Sequence, residues 1–238
     1  MARHGHSAGG ARLLPVPSPN RPPFSILLLA ALLGVLLLVI QFGIVTLTFE
    51  RLGLTTAGAA LLLLASLLGS AINIPLFQLQ MPIHNGDDMH LLYRLLGLRA
   101  QQPPRQMIVA INLGGGLIPV AFCVYLLLEL PLHISDVLLA TTAVAVISYA
   151  FSRPVPGMGI MMPILVAPLT AALAALMLNP LQGAPLAYIA GTLGVLLGAD
   201  LLRIMDVRFL HAPLASIGGA GTFDGVFITG IVAVLLTG

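Results

Sequence analysis

Long apolar runs alternate with short polar or proline-rich links along most of the chain. A helix rises 1.5 Å per residue and a bilayer core is about 30 Å thick, so about 20 apolar residues suffice to cross it. The runs predict seven spans, at about 24–49, 54–79, 107–128, 136–151, 157–178, 185–204 and 219–238. We therefore expect an all-α, polytopic transmembrane helix bundle that forms a single domain over residues 24–238.

Two segments stand outside this pattern. Residues 1–23 hold three arginines among Gly, Ser and closely spaced Pro, which predicts a disordered basic tail. Residues 80–106 form the only sizeable polar link. His84 and His90 lie there near two aspartates, but their irregular spacing in a solvated link is not that of a metal site, and we expect no metal.

Glycine and proline interrupt two of the predicted spans. Gly114, Gly115 and Gly116 are followed by Pro119, and residues 218–225 are rich in glycine. At membrane depth, backbone can be irregular only where it is buried in protein or lines a water-filled cavity. These stretches predict broken or glycine-rich helix segments.

Arginine positions predict which side of the membrane these features occupy. The ten basic residues are all Arg, and nine of them fall in the tail and in alternate links if the N-terminus is inside. The positive-inside rule then favours N-in, C-out, with the irregular segments on the cytoplasmic side. The absence of Lys beside abundant Ala, Leu, Gly and Arg is typical of a GC-rich prokaryotic genome, so we expect an inner-membrane protein.

The composition indicates which classes of partner the protein is expected to have. Hydrophobic residues make up 58% of the chain, charged residues 8%, and the mean hydropathy is +1.06, so the lipid bilayer is the expected partner. The arginines form no run or stripe, which argues against nucleic acid. The single Cys123 excludes an internal disulfide, and we expect no cofactor. The oligomeric state is left open.

Two acids in apolar sequence are the strongest candidates for a functional site. Counting 20 residues across each span places Asp200 and Asp224 about four to five residues inside the cytoplasmic edge. Ionisable groups at membrane depth are costly and are functional by default. We therefore predict a site that opens to the cytoplasm and binds or transports a cation, a proton or a small polar solute. Its candidate ligand-binding residues are Asn73, Asn112, Arg153, Asp200, Gly219, Gly221 and Asp224.

Two alternative interpretations remain open. Asp200 and Asp224 on consecutive spans are also the arrangement of an intramembrane aspartyl protease, in which one carboxylate is the base, the other is the acid, and a membrane peptide is the substrate. The surrounding Gly-Ala-Asp and Thr-Phe-Asp sequences differ from the motifs of those proteases. In a purely structural interpretation, Asp200 pairs with Arg203 and Asp224 caps the last helix.

Four sequence blocks carry a family resemblance. They are Gly69–Leu76, Ile108–Pro119, Gly198–Leu202 and Gly218–Gly225. In this order they resemble a prokaryotic integral-membrane family catalogued as domain of unknown function 1614, and the likeness extends over about residues 25–238. The resemblance implies a polytopic membrane protein and brings no assigned activity or residue roles.

Overall fold

The computed structural model describes residues 24–81, 106–155, 159–207, 212–219 and 225–237. Over these residues the chain is mostly helical, with 69% helix and seven α-helices. They are α1 Phe24–Arg51, α2 Thr56–Gly69, α3 Ile118–Glu129, α4 Ile134–Phe151, α5 Val166–Leu178, α6 Gly183–Val195 and α7 Gly225–Thr237. The predicted tail 1–23 and most of the predicted link 80–106 lie outside the described residues.

The described part of the chain also contains five short strands. They are β1 Asn73–Gln80, β2 Gln106–Asn112, β3 Arg153–Val155, β4 Gly159–Met161 and β5 Leu214–Ile217. The first sheet has the order β1-β2-β5, with β1 antiparallel and β5 parallel to β2. The second sheet is the antiparallel pair β3-β4.

The chain divides into two compact units, Met1–Gln41 and Phe42–Gly238. The described part of the first unit is the N-terminal portion of α1, whose described apolar side chains, such as Leu32 and Val39, are exposed. The second unit holds the rest of the helices and both sheets.

A bundle of α4, α5, α6 and α7 forms the main core of the second unit, and α6 is its central helix. Almost every side chain of α6 is buried. Its neighbours approach closely because they offer small residues, such as Ala167, Ala171 and Ala175 at every fourth position of α5. At Gly194 a side chain would fall 2.5 Å from Val144 Cβ of α4. Small residues at these contacts let the helix backbones come together.

The outer surface of this bundle is apolar. Large side chains such as Leu138 of α4, Leu173 and Met177 of α5 and Leu128 of α3 are 60–83% exposed. Exposed large apolar side chains on several neighbouring helices are typical of a surface that faces lipid or a partner. Among the described residues, three helical segments are long and apolar enough to cross a membrane: Leu32–Arg51, Ile134–Phe151 and Pro180–Leu201. Membrane location is therefore supported by both length and surface.

The expectation of an all-α chain is wrong for the residues around the first sheet. The predicted span 54–79 ends as a helix at Gly69 and continues as β1, and the predicted span 107–128 begins as β2. Residues 106–112 are rich in β-branched Ile and Val, which favour strands, and β1 gains its backbone partners from β2. Pro75 is tolerated because β1 lies at the edge of the described sheet, where a register shift follows it.

The structure of the later predicted spans also differs from one continuous α-helix each. The predicted span 157–178 is helical only from Val166, because β4 occupies Gly159–Met161. The predicted span 185–204 passes from α6 into a π-helical segment, Leu196–Leu201. The described helix within 219–238 is α7. Counting apolar residues locates these segments but does not show where their backbone leaves the α conformation.

Candidate functional site

The predicted polar residues meet where the first sheet joins the helices. We call this region the polar junction, and it consists of Asn73, Asn112, Asp200 and the turn Ser216–Gly219. Asn73 and Asn112 face each other as paired residues at the end of β1 and β2. The turn follows β5, which runs parallel beside β2.

Asn112 binds three parts of the chain at once. It is 1% exposed, and its Oδ1 accepts a hydrogen bond of 2.7 Å from the Gly115 N–H. Its Nδ2 donates to the Ser70 carbonyl at 2.7 Å and to Asn73 Oδ1 at 3.1 Å. The Gly115 N–H determines the orientation of the amide, since only the oxygen can accept from it. Asn112 therefore caps the segment after β2 and ties it to the end of α2.

Ser216 connects β5 to β1 across the intervening strand. Its Oγ lies 2.6 Å from Asn73 Oδ1 and 2.6 Å from the Gly219 carbonyl oxygen. Ala110 of β2, which pairs with both Pro75 and Ser216, has a small side chain that leaves room for this contact. A hydroxyl has one proton, so it donates to only one of these two acceptors at a time.

Glycines allow the backbone segments of the polar junction to approach closely. Residues 113–117 form a π-helical turn that begins at the Asn112 cap. A side chain at Gly114 would overlap the backbone of Ser66 and Ser70 in α2, and one at Gly115 would overlap the Gly218 carbonyl. Gly218 itself has φ +78°, a conformation that other residues rarely adopt.

Asp200 lies in the second π-helical segment, at the end of the candidate span Pro180–Leu201. Its Oδ2 accepts a hydrogen bond of 2.8 Å from the Gly218 N–H. Gly198, two residues before Asp200, lies directly against α4. A side chain at this position would overlap the backbone of Ala145. π-Helical turns are rare in proteins and occur frequently at functional sites.

A small cavity adjoins the Asp200 carboxylate. Its volume is about 30 Å³, room for a water molecule or a small ion. Asp200 and Ser216 are its polar lining residues, and the others are apolar side chains such as Val109, Ile204 and Ile217. Within the ranges that the structure describes, no group of three or more His, Cys, Asp or Glu side chains could hold a metal ion.

The family model described as Protein of unknown function (DUF1614) matches residues 67–236, more than half of the chain. The chain belongs to this family. The resemblance drawn from the four sequence blocks is thereby confirmed. No curated protein and no solved structure matches the chain.

The DUF1614 match begins near the end of α2 and ends in α7, so it contains the whole polar junction. Of the predicted site residues, Asn73, Asn112, Asp200 and Gly219 lie in the junction. Arg153 lies on β3. Its side chain is exposed and forms no hydrogen bond or ion pair with the described residues. Asp224 and Gly221 fall outside the described residues of the DUF1614 chain, as does the distance between Asp200 and Asp224.

Arg203 has a different partner from the one that the structural interpretation predicted. Its Nη1 lies 2.9 Å from Asp206 Oδ2, which replaces the expected pair with Asp200. The guanidinium also donates to the Tyr149 carbonyl and to Ser152 Oγ at the end of α4, and it stacks 4.2 Å from the Tyr149 ring centre. A cation at a helix C-terminus is stabilising, so Arg203 fastens the segment after Asp200 to α4.

Sequence reasoning missed Ser216, Ser70 and Gly218 in the DUF1614 site. Ser70 contributes its carbonyl and Gly218 its N–H, and a backbone group leaves no signal in residue type. Ser216 stands in a short Leu-Ala-Ser-Ile strand whose pairing with β2 is non-local. Only a prediction of that parallel pairing could have placed its hydroxyl next to Asn73.

Proposed function

We propose that this DUF1614 chain is a multi-pass inner-membrane protein that binds a proton or a small monovalent cation at the polar junction, through Asp200. The observation that carries the proposal is the position of the carboxylate. Asp200 lies at the end of the candidate membrane span Pro180–Leu201, in a π-helical turn, and it lines a small and mostly apolar cavity.

The membrane part of the proposal rests on helix length and surface. Besides the three long helices, four shorter apolar helical segments, of 10–17 residues, accompany them. They complete the bilayer-spanning bundle in this proposal, with lipid against the exposed leucines of α4 and α5. The arginine distribution favours a cytoplasmic N-terminus and a polar junction at the cytoplasmic end.

The carboxylate explains why a positive ion is the expected ligand. Positive ions bind carboxylate oxygens, and Asp200 lines the small cavity with its side chain among mostly apolar neighbours. A proton binds the carboxylate directly, and a monovalent cation takes further oxygen ligands as well. Broken helices that present carboxylates, amides and carbonyls are the usual construction of such sites in membrane transporters.

The size of the cavity favours an ion over a polar solute. About 30 Å³ between the described residues holds one water molecule or one ion, whereas metabolite pockets occupy roughly 300 Å³ or more. The oxygen atoms around Ser216 add a reason for a cation. The Ser216 hydroxyl has one proton, and both Asn73 Oδ1 and the Gly219 carbonyl oxygen lie within hydrogen-bonding distance of it. A cation interacts favourably with all three oxygens.

Thermal unfolding of the purified full-length protein tests the cation. Sodium, potassium and lithium chloride are compared with choline chloride at one ionic strength, and a ligand at 100 times its Kd stabilises the native state by about 2.7 kcal/mol. We expect one of these cations to raise the Tm of the unmodified protein and of Asp136→Asn, but not of Asp200→Asn. Asp136 is the matched control because it lies in the first turn of α4, away from the junction.

Proton binding has its own readout. The number of protons taken up after a downward pH jump is measured with an indicator dye in all three proteins. If the ligand is a proton, Asp200→Asn takes up one proton fewer and no alkali cation shifts the Tm. The proposal is wrong if Asp200→Asn matches the unmodified protein in both measurements.

A further inference from the structure

A second cavity lies at the other end of the candidate span that carries Asp200. Its volume is about 470 Å³, within the range of small-molecule sites. It is lined by Arg51, Leu52, Leu130, Gln182, Pro185 and Thr237, among others. Pro180, where the span begins, is also part of its wall. Twenty residues of helix separate Pro180 from Asp200, a distance of roughly 30 Å, so the two sites are distinct.

The ends of four helices place this cavity at the boundary of the apolar layer. α1 ends at Arg51, α3 ends one residue before Leu130, the α6 segment begins at Pro180, and α7 ends at Thr237. Two of the three candidate spans, Leu32–Arg51 and Pro180–Leu201, have an end in its wall. In a bilayer this is the level of the lipid headgroups.

Arg51 gives the cavity a positive charge that has no counter-ion among the described residues. In the described ranges the one ion pair joins Arg203 to Asp206, so neither Glu50 nor Glu129 lies within 4 Å of the Arg51 guanidinium. The partial negative charge at the end of α1 is about half a unit, so it leaves about half of the Arg51 charge uncompensated. A guanidinium binds a phosphate group with paired hydrogen bonds.

The remaining lining suits a molecule with a polar head and an apolar tail. Gln182 offers a side-chain amide beside the N-terminus of α6, where backbone N–H groups favour an anion. Leu181 also lines the cavity and is 95% exposed, so it presents a bare apolar side chain next to the polar groups.

We propose that this cavity binds the phosphate group of an anionic lipid, with Arg51 on the phosphate and an acyl chain along Leu181. The ligand chemistry is a phosphate ester, and its source is the surrounding bilayer. A water-soluble phosphate ester shares the headgroup chemistry but has no chain for Leu181. The two sources are therefore distinguished by changing the two side chains separately.

Native mass spectrometry of the full-length protein tests the site. The protein in detergent is titrated with phosphatidylglycerol, with phosphatidylcholine and with glycerol 3-phosphate, and the occupied fraction is recorded. We expect one phosphatidylglycerol to bind at least about tenfold more tightly than phosphatidylcholine. Arg51→Gln should weaken phosphatidylglycerol binding by about tenfold, because one charge-assisted contact is lost. Arg153→Gln is the matched control, since it removes an exposed arginine from β3 and should leave binding unchanged.

Leu181→Gln separates the two sources of phosphate. It should weaken phosphatidylglycerol binding severalfold and leave glycerol 3-phosphate unaffected if the lipid is the ligand. Glycerol 3-phosphate binding that depends on Arg51 and ignores Leu181, with no preference for phosphatidylglycerol, contradicts the lipid. Equal binding by Arg51→Gln, Arg153→Gln and the unmodified protein, each with an unchanged Tm, overturns the site. None of these readouts involves Asp200, so failure here is distinguishable from failure of the ion site.

Discussion

The helix bundle and the polar junction are held together by different interactions. In the bundle, α6 packs against α4, α5 and α7 through Ala and Gly, and its stability comes from close apolar packing. In the junction, side chains of Asn73, Asn112, Ser216 and Asp200 bind backbone groups and one another. The bundle has regular helices that satisfy their own hydrogen bonds. The junction has π-helical turns and strand ends whose backbone groups also bind side chains.

This difference explains why Asn73, Asn112, Asp200 and Ser216 find their partners within the junction. Irregular backbone near a bilayer needs partners inside the protein, because lipid offers none. The carboxylate of Asp200 accepts a hydrogen bond from the Gly218 N–H and also lines the small cavity, so the group that stabilises the irregular backbone lies where we propose that the ion binds.

Gly114→Ala should have the largest effect on stability, because Gly114 lies where the backbones of the π-helical turn and α2 approach most closely. The added methyl group would overlap the backbone of Ser66 and Ser70, and backbone cannot move aside as a flexible side chain does. We expect a loss of about 3 kcal/mol in the free energy of unfolding, measured by thermal or denaturant unfolding in detergent. Gly43→Ala is the control, since nothing lies within 4 Å of its added methyl group. Equal stability of the two variants would contradict the close packing of the junction.

Asn112→Ala should come next. It removes the acceptor of the buried Gly115 N–H and the donor to the Ser70 carbonyl, and unsatisfied buried groups cost about 1–3 kcal/mol each. We expect a total loss of about 2–3 kcal/mol. Asn179→Ala is the control, because it also removes an Asn cap. The Asn179 side chain accepts one hydrogen bond, from the Gln182 N–H at 3.2 Å, so its loss should cost about 1 kcal/mol. An equal effect of the two would show that Asn112 is an ordinary cap.

The comparison also shows what could be predicted from the sequence. The apolar runs at 24–49 and 136–151 coincide with α1 and α4, because a regular helix is specified by local composition. β1 could not be predicted in the same way. Its apolar residues extend the run of α2, and they form a strand by pairing with β2, which is distant in sequence. Length counting assumes that one apolar run is one helix.

The candidate site was predicted in part for the same reason. Asn73, Asn112 and Asp200 stand out because polar residues are rare in this chain, and the structure brings them to one region. Their partners are backbone groups of Ser70, Gly115 and Gly218, which become available only through the π-helical turns. The partner of Arg203 was predicted incorrectly because Asp200 and Asp206 are both three residues away, and the spacing alone does not distinguish them.

Arg203→Gln should have an intermediate effect, since it separates the junction from the bundle at one point. It loses the ion pair with Asp206 and the contacts with the Tyr149 carbonyl and ring, and its side chain is 17% exposed. We expect a loss of about 1–2 kcal/mol in the free energy of unfolding. Asp206→Asn keeps the contacts with Tyr149 and should lose less than half as much. A larger loss in Asp206→Asn would assign the stabilisation to the ion pair alone.

Asp136→Asn should have the smallest effect and defines the baseline of the comparison. Its carboxylate lies in the first turn of α4, where interaction with the helix dipole contributes about 0.3–1 kcal/mol. Unfolding at low and high salt measures this contribution, which should shrink as salt screens it. A loss above about 2 kcal/mol would mean that this end of the bundle also depends on a polar interaction.

Infrared difference spectroscopy of the purified protein tests the central role of Asp200 most directly, because carboxylate vibrations report both protonation and ion binding. Spectra are recorded before and after exchange of choline for the cation that raises the Tm, or after a pH jump. The account predicts a shifted carboxylate band for a cation, or a carboxylate band replaced by a carboxylic acid band for a proton. The band change should persist in Asp136→Asn and disappear in Asp200→Asn. An identical band change in Asp200→Asn and in the unmodified protein would contradict it.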